Sequence, residues 1–191
     1  MRTGMIIASA FAIALGGCGG KPEAGNTVEA NAAANATLNQ AAVLAVPVPA
    51  DFNYLNACKL LPEKPVAKAM DEAVAKSELS METPATADTA GFSTCTYTLA
   101  DGKTVSLLAR WSPYDEFTPQ EIKANRDKQT SDFDLATDDV AKVGDSAYWV
   151  PQMSQLNVFG GKRKYLIFTL RGTDEAKAKD RAIALARALK L

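Results

Sequence analysis

The sequence predicts an α+β fold, in which an antiparallel sheet built from two hairpins packs against helices as a two-layer sandwich. An Asp-Gly pair at 101–102 separates two segments rich in β-forming residues, 92–99 and 104–111, and Asp-Gly strongly favours a tight hairpin turn. A second hairpin is predicted around the Gly-Gly pair at 160–161. Helical signals before, between and after the hairpins supply the second layer.

One face of the first hairpin is predicted to be buried, because apolar side chains alternate along both of its strands. On the first strand Cys95, Tyr97 and Leu99 share this face. Cys95 is therefore expected to point toward the helices. The return strand of the second hairpin, 164–170, is apolar on both faces and is expected to be central in the sheet. On the second strand of the first hairpin, the buried face is formed by Val105, Leu107, Ala109 and Trp111.

Two helices are predicted before the first hairpin. A short one over 53–61 holds Cys58 on its inner face, and a longer one covers 63–79. The longer helix has an apolar stripe, because apolar side chains recur every four residues at Val66, Met70 and Val74.

Two further helices follow the first hairpin. A Thr-Pro-Gln-Glu capping box at 118–121 predicts a helix that runs to about residue 130 and lies on the surface, since it has few apolar residues. Thr173 is predicted to cap the last helix. The core stripe of that helix is formed by Ala182, Leu185, Ala186 and Leu189.

The N-terminus has the features of an export signal. Arg2 supplies a positive charge, 5–15 is an apolar run, and a Leu-Gly-Gly-Cys string then ends at Cys18. This order resembles the lipobox of bacterial lipoproteins. The resemblance implies removal of residues 1–17 as a signal peptide and attachment of lipid to the thiol and amine of Cys18. The alternative is a buried N-terminal helix with an incidental cysteine.

Two parts of the chain are expected after the signal peptide. Residues 18–50 form a lipidated cysteine and a flexible tether, because the tether consists mostly of Ala, Asn and Pro and offers little to bury. Residues 51–191 are enough for one hydrophobic core and are expected to form a single α+β domain.

The chain has three cysteines. If Cys18 is acylated, Cys58 and Cys95 remain as an even pair in an oxidising compartment, and a disulfide between them is predicted. Two free buried thiols are the alternative. A redox-active pair is less favoured, because such pairs usually lie close together as C-x-x-C.

Composition excludes several classes of function. The chain has no histidine, so Ser-His-Asp and Cys-His catalysis are excluded and the commonest metal ligand is missing. The formal net charge of −1 gives no basic footprint for nucleic acid. No cofactor and no metal are expected, and no apolar stretch after the signal is long enough to span a bilayer.

The string Gly-Asp-Ser-Ala-Tyr-Trp at 144–149 is the most distinctive candidate for a site. In one interpretation Tyr148 and Trp149, together with Trp111, line a ligand-binding cleft. In the favoured interpretation the segment is a tight glycine turn, and its two aromatic residues fill the edge of the core. Ser146 has no base beside it and is not a credible nucleophile.

Charged motifs in the chain favour structural roles. Asp138 and Asp139 would point to opposite faces if they lay on a strand, and they would not share a proton or a metal. In a loop they could bind calcium weakly, but a proper site needs more ligands, so a solvated loop is expected. The basic cluster at 160–164 is expected to be a solubilising hairpin tip, with contact to an anionic headgroup or glycan as the alternative.

Residues 53–190 carry a second, weaker resemblance. A Cys-Lys-Leu-Leu string at 58–61 precedes Cys95, and Val-Gly-Asp-Ser-Ala-Tyr-Trp at 143–149 is followed by a hairpin and an Ala-rich helix. This order is similar to that of small uncharacterised two-cysteine envelope lipoproteins, including secreted actinobacterial ones with a paired-cysteine domain of unknown function. The resemblance implies a disulfide and an extracytoplasmic location, and it implies no catalytic residues.

These observations predict a lipid-anchored cell-envelope protein without enzymatic activity, which binds a protein partner or a small ligand. The alternatives are a hydrolase of envelope polymers that uses carboxylates, and a structural accessory subunit of an envelope complex. A cleft would favour a small ligand, and a flat apolar patch would favour a protein partner. Gly19 is not the aspartate associated with inner-membrane retention, so the outer membrane facing the periplasm is expected if the source has one.

Overall fold

The computed structural model describes residues 49–189. These residues form an antiparallel sheet of seven strands with four α-helices, which is a mixed α+β fold. The predicted signal peptide 1–17, Cys18 and almost all of the predicted tether lie outside the described residues, so the predictions for them stay predictions. None of the helices within 49–189 combines the length and the apolar character needed to cross a membrane.

In chain order the elements are α1 (Ala57–Leu60), α2 (Glu63–Met70), β1 (Val74–Thr83), β2 (Gly91–Leu99), β3 (Thr104–Trp111), α3 (Pro119–Phe133), β4 (Asp138–Asp139), β5 (Ser146–Val150), β6 (Gln155–Gly160), β7 (Lys164–Arg171) and α4 (Glu175–Arg187).

The strand order across the sheet is β1-β2-β3-β7-β6-β5-β4. Both predicted hairpins are present, as β2–β3 and β6–β7. The sheet is larger than these two hairpins, because β1 extends one edge and β5 and β4 extend the other.

The two hairpins join through β3 and β7 at the centre of the sheet. These strands pair antiparallel along their whole shared length, from Thr104 opposite Arg171 to Trp111 opposite Lys164. The prediction that 164–170 forms a central strand is therefore confirmed.

Helices α1, α2 and α4 cover one face of the sheet, which we call the first face. Strand alternation turns the predicted apolar residues of β2 and β3 toward these helices, as expected. Val66 and Met70 of α2 and Ala182 and Leu185 of α4 pack against them. The largest fully buried side chains of this core are Tyr54, Tyr97, Phe52, Phe168, Leu61 and Met70.

Helix α3 lies on the opposite face, which we call the second face. The predicted two-layer arrangement is therefore incomplete, because helices contact both faces of the sheet. None of the residues of α3 is buried, in agreement with the surface position that its few apolar residues predict. Ile122 packs on a small apolar cluster formed by Phe117, Tyr148, Val150 and Phe159.

The predicted helix over 63–79 is wrong in its second half. Helix α2 ends at Met70, and Asp71 adopts a left-handed conformation with φ of 55°. The residues that follow form β1, in which Leu79 lies opposite Cys95. Pairing with β2 outweighs the helical propensity of this Ala-, Lys- and Glu-containing segment.

Two other helix starts differ from the prediction and one agrees with it. Helix α1 is shorter than 53–61, because Asn56 caps it by accepting a hydrogen bond from the Lys59 amide at 2.9 Å. The last helix is capped by Asp174 instead of Thr173, through a bond from the Ala176 amide at 3.1 Å. The capping box of α3 is present as predicted.

Strand β1 is an edge strand of the sheet formed by residues 49–189. None of its residues is buried, and its ladder with β2 shifts register between Val74 and Lys76 and again between Ser80 and Thr83. Met81, inside the second irregularity, has φ of 54°. The edge is therefore bent and interrupted along its length.

A disulfide joins Cys58 of α1 to Cys95 of β2, with Cα atoms 5.0 Å apart, as predicted. The same junction is held by the buried hydroxyl of Ser93, which donates to the Tyr54 carbonyl at 2.7 Å and accepts from the Ala57 amide at 3.0 Å. The first helix is thus attached to the sheet by a covalent bond and by hydrogen bonds.

Removing the disulfide should destabilise the protein without changing its fold. Cys58→Ala/Cys95→Ala should lower the free energy of unfolding by about 4 kcal/mol, because the bond closes a loop across a sequence separation of 37. Urea unfolding measures this change. Reductant should lower the stability of the parent protein and leave the double variant unchanged; equal stability of the two proteins would contradict the expectation.

Candidate functional site

The structure separates the three aromatic residues that the sequence analysis grouped. Tyr148 and Trp149 are neighbours on β5 and point to opposite faces of the sheet. Trp149 is 4% exposed in the core of the first face, whereas Tyr148 belongs to the apolar cluster of the second face. Trp111 stacks on Tyr54 with ring centroids 5.7 Å apart. The three side chains do not line one cleft.

A cleft of about 640 Å³ lies between the first half of α3 and the second face of the sheet. We call it the α3 cleft. Its volume falls within the range of about 300–1,000 Å³ that is usual for small-molecule sites. Its apolar lining consists of Phe117, Ile122 and Tyr148. The charged side chains along it are Lys123, Arg126, Asp139, Asp145 and Lys162.

The floor of the α3 cleft is fixed by aromatic packing and by backbone hydrogen bonds. The Phe117 amide donates to the Lys162 carbonyl at 2.8 Å, which ties the segment before α3 to the β6–β7 turn. The Phe117 ring lies 5.4 Å from the Phe159 ring and 5.3 Å from the Tyr165 ring. The floor is therefore held in place before any ligand enters.

The roof of the cleft, helix α3, is attached mainly by polar contacts. Arg126 donates from Nε to the Thr137 hydroxyl at 2.9 Å and forms an ion pair with Asp139. Ile122 gives helix α3 an apolar contact with the cluster on the second face of the sheet. Since α3 buries none of its residues, it can shift without exposing the core of the first face.

Asp138 and Asp139 connect the sheet to helices on both of its faces. Asp138 accepts a hydrogen bond from Lys179 of α4 at 2.9 Å, whereas Asp139 pairs with Arg126 of α3. The expected solvated loop is therefore wrong: the pair lies on strand β4, and its two carboxylates point to opposite faces and form ion pairs. Residues 49–189 contain no group of three or more Cys, Asp or Glu side chains arranged to hold a metal ion.

The glycine turn before β5 places Asp145 at the edge of the cleft. Gly144 has φ of 56°, and a Cβ there would lie 2.4 Å from the Phe159 carbonyl oxygen, so only glycine fits. Asp145 accepts a hydrogen bond from the Gly161 amide in the β6–β7 turn. The geometry agrees with the interpretation of 144–149 as a turn whose aromatic residues fill the core.

A smaller cavity of about 250 Å³ lies beneath α3, and it shares Phe117 and Tyr148 with the α3 cleft. Arg110 and Glu116 line it and pair at 2.7 Å. Nearby, the Tyr165 hydroxyl donates to Asn157 Oδ1 at 2.6 Å. The sequence analysis missed these polar residues, because their spacing along the chain gives no sign that they meet.

Burial controls the protonation of the two tyrosines beside this cavity. It raises the pKa of Tyr165 and that of Tyr148 above their ordinary values. Both hydroxyls therefore stay protonated at neutral pH. The Tyr165 hydroxyl already donates its proton to Asn157, and neither tyrosine provides a phenolate nucleophile.

This chain matches no protein-family model, no curated protein and no solved structure. The geometry of the described residues and the motifs of the sequence are therefore the grounds for assigning a function.

Trp149 should act as a structural residue. Trp149→Ala should cost on the order of 3–5 kcal/mol, as truncation of large core side chains does, and Trp149→Phe should be tolerated far better. Thermal unfolding of the two variants measures the difference. An unchanged melting temperature for the alanine variant would contradict this role.

Proposed function

We propose that this protein is a lipid-anchored cell-envelope protein without enzymatic activity, and that its folded part binds a small ligand in the α3 cleft. One observation carries the proposal: a fixed aromatic floor is roofed by a helix that buries none of its own residues. A helix that is not needed to complete the core is free to adjust to a bound molecule.

The charges of the cleft suggest the chemistry of the ligand. Asp139 already pairs with Arg126, and Asp145 accepts from a backbone amide, so both carboxylates are engaged. Among the described residues, Lys123 and Lys162 pair only with exposed aspartates outside the cleft, and such exposed pairs are weak. The cleft therefore suits a molecule with a flat apolar part and an anionic group.

The same contacts favour binding over catalysis. Hydrolysis of an envelope polymer by carboxylates needs one acid and one base or nucleophile that can exchange protons. The two carboxylates of the α3 cleft are held by Arg126 and by the Gly161 amide instead. The concave shape favours a small ligand over the protein partner or the accessory-subunit role.

The proposed location rests on the N-terminal string and on the disulfide. Leu-Gly-Gly-Cys after an apolar run supports lipidation of Cys18, and the Cys58–Cys95 bond suits an oxidising compartment. Gly19 supports placement in the outer membrane, facing the periplasm, in a source that has one.

An amphipathic probe tests the cleft. Anilinonaphthalene sulfonate carries an aromatic face and an anionic group, and it should bind saturably with one molecule per chain. Lys123→Gln/Lys162→Gln should weaken its affinity by about fivefold, because two weak ionic contacts are lost. Fluorescence titration of the purified protein measures the dissociation constant.

Two further variants make this titration specific. Ile122→Trp should fill the cleft and abolish saturable binding. Lys128→Gln/Lys177→Gln removes the same charge from exposed positions outside the cleft and should leave the affinity unchanged. Equal affinities in all the variants would contradict binding of the probe in the α3 cleft.

Lipid attachment should require Cys18. Cys18→Ser should abolish labelling of the protein with a clickable palmitate analogue, and the chain should stay unprocessed or be released from the membrane. Cys58→Ala/Cys95→Ala is the control, since it removes the other two cysteines of the chain and should keep the label. Equal labelling of the Cys18→Ser variant and the parent protein would contradict lipid attachment at Cys18.

A further inference from the structure

An open groove of about 670 Å³ lies between α2 and α4, on the side of these helices away from the sheet. We call it the α2–α4 groove. It lies on the opposite side of the sheet from the α3 cleft. Small apolar residues form its floor, and three long basic side chains stand along it. The floor consists of Pro65, Ala69, Ala184 and Ala188.

The basic residues that line the groove are free of ion pairs within the described part of the chain. Within residues 49–189, Lys64, Lys68 and Arg187 take part in no ion pair, and the groove is lined by no carboxylate. Lys142, also outside these ion pairs, lines an adjoining cavity together with Arg187 and one carboxylate, that of Asp145. Basic side chains therefore outnumber acidic ones along the groove and this cavity, in a protein whose net charge is −1.

The groove lies near the end of the sheet at which the described chain begins. Arg187 shares a cavity with Asp145, and Asp145 accepts a hydrogen bond from Gly161 in the β6–β7 turn. Lys164, just after that turn, forms an ion pair with Asp51. The chain that arrives from the N-terminus therefore enters the fold at the same end as the groove.

We infer that the α2–α4 groove docks on an anionic lipid surface. Its cations would meet headgroup phosphates, and its shallow floor of small side chains lets the surface approach both helices. A basic cluster near an anionic membrane gains attraction from each Lys or Arg that comes close to the surface. The inference rests on the proposed lipid anchor in one respect, since lipid on Cys18 would hold the folded part near a bilayer.

Amide hydrogen exchange on vesicles tests this docking. The protein is purified from its own membranes and reconstituted with phosphatidylcholine alone, or with phosphatidylcholine mixed with phosphatidylglycerol. Peptides from α2 and from the C-terminal half of α4 should exchange severalfold more slowly on the anionic vesicles, and α3 should exchange equally on both. High salt should remove the difference, because it shortens the range of the attraction.

Matched variants identify the residues responsible for the protection on anionic vesicles. Lys64→Gln/Lys68→Gln/Arg187→Gln should abolish the extra protection, whereas Lys76→Gln/Lys128→Gln/Lys177→Gln removes the same charge elsewhere and should keep it. Melting temperatures equal to that of the parent show that both variants are folded. Equal exchange on the two kinds of vesicle, or protection that persists in the first variant, overturns the inference.

The intact mass of the purified protein shows whether it carries lipid, so the anchor is tested separately from docking of the groove. A mass without lipid contradicts the anchor, and the exchange experiment then proceeds with vesicles added to the same protein. Protection on anionic vesicles would still support the groove, and its absence would still overturn it.

Discussion

The antiparallel pairing of β3 with β7 is the interaction on which the rest of the described structure depends. It joins β1-β2-β3 to β7-β6-β5-β4, so that α2 and α4, which pack over different halves, meet on the first face. It also determines the path of the chain after β3. Because β4 lies at the far edge, the connection from β3 must cross the second face over β7, β6 and β5. Helix α3 belongs to that crossing, and this is why it roofs a cleft.

Features with local signals could be predicted from the sequence. The turn at Asp101 and Gly102, the alternation along β2 and β3, and the capping box of α3 each depend on residues within a few positions of one another. The disulfide could also be predicted, because setting Cys18 aside left one possible pair. These features give the α+β class and the attachment of the first helix to the sheet.

Features that depend on distant parts of the chain could not be predicted. The spacing of Val66, Met70 and Val74 fits a helix, and only the partner strand shows that Val74 begins β1 instead. Likewise, Tyr148 and Trp149 are adjacent in sequence, yet β5 sends them to opposite faces. The α3 cleft arises where Phe117 and Ile122, at the start of α3, meet Tyr148 of β5, and no spacing along the chain reveals that Tyr148 joins them.

The irregular edge at β1 has a consequence for encounters between copies of this chain. A straight edge strand would invite two copies to join their sheets, and repeated joining would give larger aggregates. The two shifts in register and the left-handed Met81 bend this strand away from a regular ladder, and Lys76 and Glu78 add charge along it. The bend therefore disfavours edge-to-edge pairing between the β1 strands of two copies.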